Sequence, residues 1–354
     1  MEKTASTNKF FTRQLLKWNE LCNTRQMPWK GEKDAYRIWL SEIILQQTRV
    51  EQGLAYYQRF IKAFPTVNDL AKAPETTVFK LWEGLGYYSR CKNLIATARF
   101  ISTELNGEFP NTYEAILKLK GIGPYTAAAI SSFAFQLPHA VVDGNVFRVL
   151  SRFFGIKIPI DSTEGKKTFT VLANSLLDKK QPGIYNQALM DFGAVICKPQ
   201  QPLCDACLLQ KNCVAYLNNK VNVLPVKEKK IIKRTRWFYY FIVEHNNSFL
   251  VRKRPAKDIW ENLYEFVLFE SDSELPENKI KKQLELIAGI KTQSKITISK
   301  KYKQQLSHQT IHGQFIKAIT NSPLKIDGYD IVSQKKILLL PFPKFITSYL
   351  KDIE

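Results

Sequence analysis

Four of the six cysteines in this 354-residue chain, Cys197, Cys204, Cys207 and Cys213, fall within seventeen residues, spaced C-x6-C-x2-C-x5-C. A disulfide framework spreads its pairs through a smaller secreted chain, and the charged segment Met1 to Trp18 contains no uninterrupted apolar stretch of the kind that opens a secretory leader. In a reducing compartment, thiols this close read as a metal site. The spacing does not give the two C-x2-C pairs of zinc knuckles, and a four-thiolate [4Fe–4S] cage fits it better than zinc or free thiols. Cys22 and Cys91 stand apart and read as small buried hydrophobes.

The charge sets the second constraint. Fifty-two Lys and Arg face 32 Asp and Glu, a formal net of +20, divided evenly as +10 over residues 1–220 and +10 over residues 221–354. Such an excess points to a polyanionic partner, nucleic acid first. No apolar run approaches the roughly 18 residues that span a bilayer, so a cytoplasmic protein is expected. With 45 % apolar and 12 % aromatic residues the chain can bury real cores.

Residues 1–216 read as all-α. Tyr36, Trp39, Leu40, Ile43, Ile44 and Val50 recur at helical steps, predicting one amphipathic helix through to Val50. Asn111 with Glu114 three residues on predicts a capping box, opening a helix that runs to Gly121. Pro124 then stands at the first turn of the next helix, and Val146, Val149, Leu150 and Phe153 form another stripe. After Tyr216 the texture changes. Residues 217–234 form a basic linker with Pro225, Lys227, Lys229, Lys230, Lys233 and Arg234, and residues 235–354 read as an α+β domain. Its strand candidates are Trp237–Val243, Ser248–Arg252, Glu265–Phe269 and Ile337–Leu340, with a helix around Lys279–Ala288.

Between two helices lies Leu119-Lys120-Gly121-Ile122-Gly123-Pro124-Tyr125-Thr126, a turn whose glycines and following helix start can hold a phosphate. Twenty residues on comes Val142-Asp143-Gly144-Asn145-Val146. This hairpin at 119–126, the Asp-Gly-Asn and the cysteine loop at 197–213 resemble the helix-hairpin-helix DNA glycosylases of the endonuclease III superfamily. Pro28-Trp29, Trp39-Leu40-Ser41-Glu42-Ile43-Ile44-Leu45-Gln46-Gln47-Thr48 and Gly84-Leu85-Gly86-Tyr87-Tyr88-Ser89-Arg90 narrow it to the MutY-type adenine DNA glycosylases. The C-terminal part is similar to that family's Nudix-like domain through Trp260–Phe266.

The resemblance implies a base-excision repair enzyme, acting as a monomer on double-stranded DNA, that hydrolyses the N-glycosidic bond of adenine mispaired with 8-oxoguanine or guanine. A base inside a duplex must be extruded before its bond can be cut. The leaving purine needs a proton and the sugar left behind is cationic, so one carboxylic acid and one carboxylate are required. Glu42 and Asp143 match those positions, Asp143 acting electrostatically or by attack, with Asn145 orienting it. Where the superfamily's strand-cutting members carry a Schiff-base lysine this chain has Tyr125, and Phe147 fills a second position at which the family has lysine, implying a monofunctional enzyme. Gln47, Leu85 and Tyr87 match DNA-contacting or stack-inserting positions, as Gly121 and Gly123 match the phosphate-holding turn. Trp29 and Gln187 are candidates for the adenine pocket, since a glutamine amide can meet both a donor and an acceptor on the adenine edge. Leu306-Ser307-His308 resembles the loop that reads 8-oxoguanine, with Leu in place of Phe, so Ser307 and His308 are the candidates there. Ile280–Glu285 lacks a Mg²⁺-binding carboxylate cluster, so this domain should bind and not hydrolyse nucleotides.

Overall fold

A computed structural model describes residues 2–228, 233–289, 296–321 and 325–353. The middle of the basic linker, including Lys229 and Lys230, lies outside the described residues. The backbone packs into two compact units, Met1–Lys72 with Ala96–Lys229, and Ala73–Ile95 with Lys230–Glu354. Where the sequence suggests two contiguous domains, packing lends residues 73–95 to the second unit.

The helical stretch runs α1 (Glu2–Cys22), α2 (Ala35–Leu45), α3 (Val50–Ala63), α4 (Val67–Lys72), α5 (Glu75–Trp82), α6 (Tyr88–Glu104), α7 (Tyr113–Leu117), α8 (Pro124–Phe135), α9 (Gly144–Phe154), α10 (Thr163–Leu176), α11 (Pro182–Val195) and α12 (Val214–Leu217). The main core of the first unit joins Phe11, Leu15 and Trp18 of α1 to Val149, Leu150 and Phe153 of α9, Phe169 and Leu176 of α10, and Tyr185, Leu189 and Phe192 of α11. Cys91 is buried, whereas Cys22, the last residue of α1, is exposed, contrary to its reading as a core residue. No helix among the described residues is long and apolar enough to cross a membrane.

Three boundaries depart from the sequence reading. The expected helix through Val50 breaks after Leu45, because Gln46 leaves helical geometry and Gln47 takes a left-handed φ of 55° before α3 begins at Val50. Thr112, and not Asn111, caps α7, its hydroxyl accepting from the Ala115 N–H, and the helix ends at Leu117, short of Gly121. The stretch Ile337–Leu340 is no strand: α14 (Gln334–Ile337) precedes a turn that buries Ile337 and Leu340 and exposes Leu338 and Leu339. A three-residue step between buried positions is helical, not the period of two a strand needs.

The second unit is built on a sheet of β1 (Arg234–His245), β2 (Ser248–Lys253), β3 (Tyr264–Ser271), β4 (Ile296–Ile298), β5 (Tyr302–Gln305), β6 (Gln309–Ile319) and β7 (Asp330–Ser333). Its order is β4-β6-β1-β3-β2-β7, with β5 also on β6, and β1 runs parallel to β6 in register Arg234↔Gln309 to Glu244↔Ile319. Alternate residues of β1 enter different cores. Tyr239, Phe241 and Val243 pack with Ile280 and Leu284 of α13 (Glu277–Ala288). Tyr240 stacks on Phe315, which stacks in turn on Tyr349 of α15 (Lys344–Asp352). Both faces are covered, which is why β1 reads as an almost unbroken apolar run. Residues 73–95 are tied into this unit: Glu83 accepts from the Phe342 N–H at 2.8 Å, Lys80 donates to the Leu340 carbonyl at 3.0 Å, and Lys92 pairs with Glu261.

Candidate active site and DNA-reading surfaces

Asp34 caps α2, accepting from the backbone N–H groups of Tyr36 and Arg37, and the helix carries Glu42 inward on a face shared with Trp39 and Ile43. Glu42 is only 7 % exposed. The Tyr125 hydroxyl, at the start of α8, donates to Glu42 Oε2 at 2.7 Å. Burial pushes the Glu42 pKa up to about 7; the Tyr125 hydrogen bond opposes that, and the nearby Asp143 charge adds to it. The Tyr125 phenol is itself raised well above its ordinary value, by burial and by the Glu42 and Asp143 charges, so it stays a donor.

Asp143 is the N-cap of α9, as its place before the apolar stripe suggests. Its Oδ1 accepts from the Val146 N–H and its Oδ2 from the Asn145 amide, both at 2.7 Å. Burial raises its pKa, while those two donors and Arg148 pull it back toward the anion. Asn145 is braced in turn by Arg148, whose Nη2 donates to Asn145 Oδ1 at 2.8 Å. One cavity of about 400 Å³ is lined by Glu42, Tyr125, Asp143, Asn145, Gln47 and Gln187, among others. No lysine lines it among the described residues, and Phe147 turns its ring edge-on to Phe169. A second cavity of about 280 Å³ shares Trp29, Glu42 and Gln187 with the first. Trp29 packs edge-to-face on Tyr57.

The hairpin glycines do different work. Gly121 adopts φ 79°, a left-handed turn that glycine enters freely, while Gly123 is extended and N-caps α8, with Pro124 in the first turn.

Within the second unit, the Tyr87 hydroxyl hydrogen-bonds the Ser307 hydroxyl. Ser307 and His308 form the tip of the β5–β6 hairpin, closed by the Leu306 N–H on the Gln309 carbonyl. Tyr87, Ser307, His308, Lys92 and Glu261 all line one cavity of about 400 Å³. Tyr87 is 41 % exposed and, like Gln47, takes a left-handed φ, 49°. Left-handed backbone at a non-glycine residue costs energy and gathers at functional sites. Leu85, between the two glycines of this segment, is buried at 6 % exposure.

Cys197, Cys204, Cys207 and Cys213 line one cavity with Arg152, whose Nη1 lies 3.5 Å from Cys197 Sγ. Burial, against a hydrogen bond from the backbone, and the charges of its three fellow thiols push the Cys207 thiol up to about 12. Among the described residues no three His, Cys, Asp or Glu are gathered tightly enough to hold a single metal ion.

Sequence reasoning missed Asp191. It is fully buried on α11, and Arg25, Lys30, Asn23 and Gln187 all converge on it. Gln187 and Asp191 stand four apart on one helix, but the partners at 23–30 come from a loop that no periodicity places.

The HhH-GPD superfamily of base excision DNA repair proteins matches residues 40–173, and the NUDIX domain matches residues 238–352. An adenine DNA glycosylase of Buchnera aphidicola subsp. Baizongia pistaciae is 37 % identical over 309 residues, 86 % of this chain and 85 % of that protein. The adenine DNA glycosylase of Rattus norvegicus is 42 % identical over 215 residues, 58 % of this chain and 42 % of the longer rat protein. Among solved structures, a thermostable thymine-DNA glycosylase superposes with a TM-score of 0.57 at 31 % identity, covering 61 % of this chain and 99 % of that one. With two family models matched in order and a relative 37 % identical over most of both chains, the chain belongs to the adenine DNA glycosylase family.

Proposed function

We propose that the protein removes adenine mispaired with 8-oxoguanine or guanine in double-stranded DNA, as a monofunctional N-glycosylase. The observation that carries this is the pairing of a buried carboxyl titrating near neutrality, Glu42, with a capped carboxylate, Asp143, in one cavity without a lysine. Two carboxyl groups whose environments separate their roles are what acid-assisted glycoside cleavage requires. Glu42, protonated, gives its proton to the purine ring as the C1′–N9 bond breaks. Asp143 faces the developing oxocarbenium-like sugar and stabilises its charge, with Asn145 fixing the carboxylate's orientation. Water then adds its oxygen to C1′, and the proton it loses returns to the Glu42 carboxylate, restoring the acid. Among the described residues no lysine lines this cavity, and Lys30 and Lys33 of the adjoining one are turned to Asp191, the Arg25 carbonyl and the Phe133 carbonyl, so strand cleavage is not expected.

Gln47 and Tyr87, each presented on a left-handed turn, are suited to enter the base stack and offset part of the extrusion cost, since stacking contributes roughly 1–3 kcal/mol per base. Ser307 and His308 beside Tyr87 supply hydrogen-bonding groups for the opposite base. Cys197, Cys204, Cys207 and Cys213 would hold a [4Fe–4S] cluster: the donor set lining that cavity is four thiols with no carboxylate or imidazole among them. Bound, the cluster would cross-link loop 197–213, and iron and sulfide content with visible absorption measure it.

The test is single-turnover release of adenine from duplexes carrying A·8-oxoguanine, A·G, A·T and C·8-oxoguanine. The expected result is release from the first two, with strand breaks seen only after alkali. Asp143→Asn should abolish release while retaining mismatch binding; near wild-type release by that variant refutes the assignment.

A further inference from the structure

Gln187 lines both cavities that share Glu42, and its amide is not free to choose which end it presents there. Gln187 Nε2 donates to Asp191 Oδ1 at 3.0 Å, one turn along α11. Asp191 Oδ1 also accepts from Arg25 Nη1 at 2.8 Å, and its Oδ2 from the Asn23 amide at 3.0 Å, with Lys30 Nζ at 3.2 Å. Asp191 has no exposed surface, and both of its oxygens are met by nitrogen donors, so it stands here as an acceptor. It must therefore face the NH₂ end of the amide. The other end, Oε1, meets no protein donor among the described residues.

Resting on the adenine reading above, we infer that Asp191 is a positioning residue for base selection: it turns the Gln187 carbonyl oxygen toward the base pocket, so that the pocket accepts a hydrogen bond from a 6-amino purine and repels a 6-oxo purine. Adenine carries an N6 amino donor where guanine and hypoxanthine carry an O6 acceptor. Two oxygens facing one another leave both without a donor, and that penalty is what makes polar selection steep. Arg25 and Lys30 serve the same end by holding one carboxyl oxygen each. An asparagine at 191 could either accept from Gln187 or donate to it, so the amide could then turn over.

The experiment compares single-turnover release of adenine and of hypoxanthine from the position opposite 8-oxoguanine, using the full chain as wild type, Asp191→Asn, Gln187→Ala and the double variant. The wild type should favour adenine. Asp191→Asn should lower the adenine-to-hypoxanthine ratio by roughly tenfold, the scale of one base-edge contact. Gln187→Ala should lower it comparably, and the double variant no further than either alone. A merely structural Asp191 would slow both bases together and leave the ratio unmoved, which would overturn the inference. Gln187→Ala breaks no ion pair, so an unchanged ratio there overturns it even if Asp191→Asn fails to fold. A wild type that releases no adenine would instead bring down the functional reading itself.

Discussion

Glu42 shows how much one residue's environment decides. On a helical wheel it is an ordinary glutamate next to an apolar stripe, and only packing reveals it as a buried carboxyl held by the Tyr125 hydroxyl. With a pKa of about 7 it is protonated below neutrality and loses its proton above, so adenine release should fall about tenfold per pH unit on the alkaline side. An acid limb should follow at lower pH as Asp143, raised above its usual 3.8, takes up a proton. A single-turnover pH profile checks both limbs, and Glu42→Gln should remove the alkaline one along with most of the activity. Stability falls with rising pH as well. A carboxyl raised from 4.5 unfolded to about 7 folded is at no disadvantage below pH 4.5, and its ionisation destabilises the fold progressively as pH rises through 7. Glu42→Gln keeps the Tyr125 contact and removes that charge, so at pH 8 the variant should be more stable by on the order of 2 kcal/mol, read by denaturant unfolding. The resemblance supplied the identity of this residue; its pKa came from burial, which no spacing encodes.

Between elements, the site depends on how closely α9 and α11 approach. A Cβ on Gly193 of α11 would stand 2.6 Å from the Asn145 Cβ and 3.0 Å from its carbonyl oxygen. Gly193 also accepts from Arg148 Nη2 at 2.7 Å, so the same point of contact braces the residue that holds Asn145. Alanine in a helix interior gains about 1 kcal/mol over glycine, but overpacking costs about 1–3 kcal/mol and here falls on backbone as well as side chain. Gly193→Ala should therefore lower the melting temperature and, by shifting Asn145 off Asp143, slow adenine release without weakening DNA binding. Helix identity was legible throughout this region: Pro124, the Asp143 cap and the α9 stripe all stand where the residues place them. The α2–α3 break was not, because the apolar spacing runs on through Gln46 and Gln47 while the chain turns by adopting a left-handed residue that carries no sequence mark. The strands β4 to β7 escaped for another reason. They are short or, like Gln309–Ile319, mix polar residues into their buried pattern, so neither run length nor alternation singles them out.

At the scale of the whole molecule, the sequence suggests a cut near the basic linker, yet residues 73–95 fold into the second unit. That assignment has chemistry behind it: the Glu83 carboxylate on the Phe342 N–H, the Lys80 ammonium on the Leu340 carbonyl and the Lys92–Glu261 pair all join this segment to residues beyond 230. A chain ending at Glu228 therefore lacks more than the sheet and helices that follow the linker. Truncation removes the partners that residues beyond 230 give to Glu83, Lys80, Lys92 and Tyr87, while Lys80 and Glu83 keep their own ion pair. Exposed ion pairs contribute little alone, roughly 0–1 kcal/mol, so their loss is the smaller part of the effect. Val78, Phe79 and Trp82, all buried in the full chain, belong by packing to the unit that is lost, and apolar surface uncovered there costs about 25 cal/mol per Å². The truncated protein should accordingly melt several degrees lower than the full chain, and Tyr87, no longer bonded to Ser307, should become mobile. Amide exchange over residues 73–95 reads this directly, with faster exchange there than over α9 and α11, whose core lies wholly in the first unit. The formal charge of +20 divides evenly about residue 220, so truncation should also flatten the salt dependence of DNA binding. Each phosphate contact supplied by the second unit removes about 0.9 from the slope of log affinity against log salt when that unit is lost. An unchanged slope would place every phosphate contact in the first unit and show that the basic character of residues 221–354 serves something other than DNA.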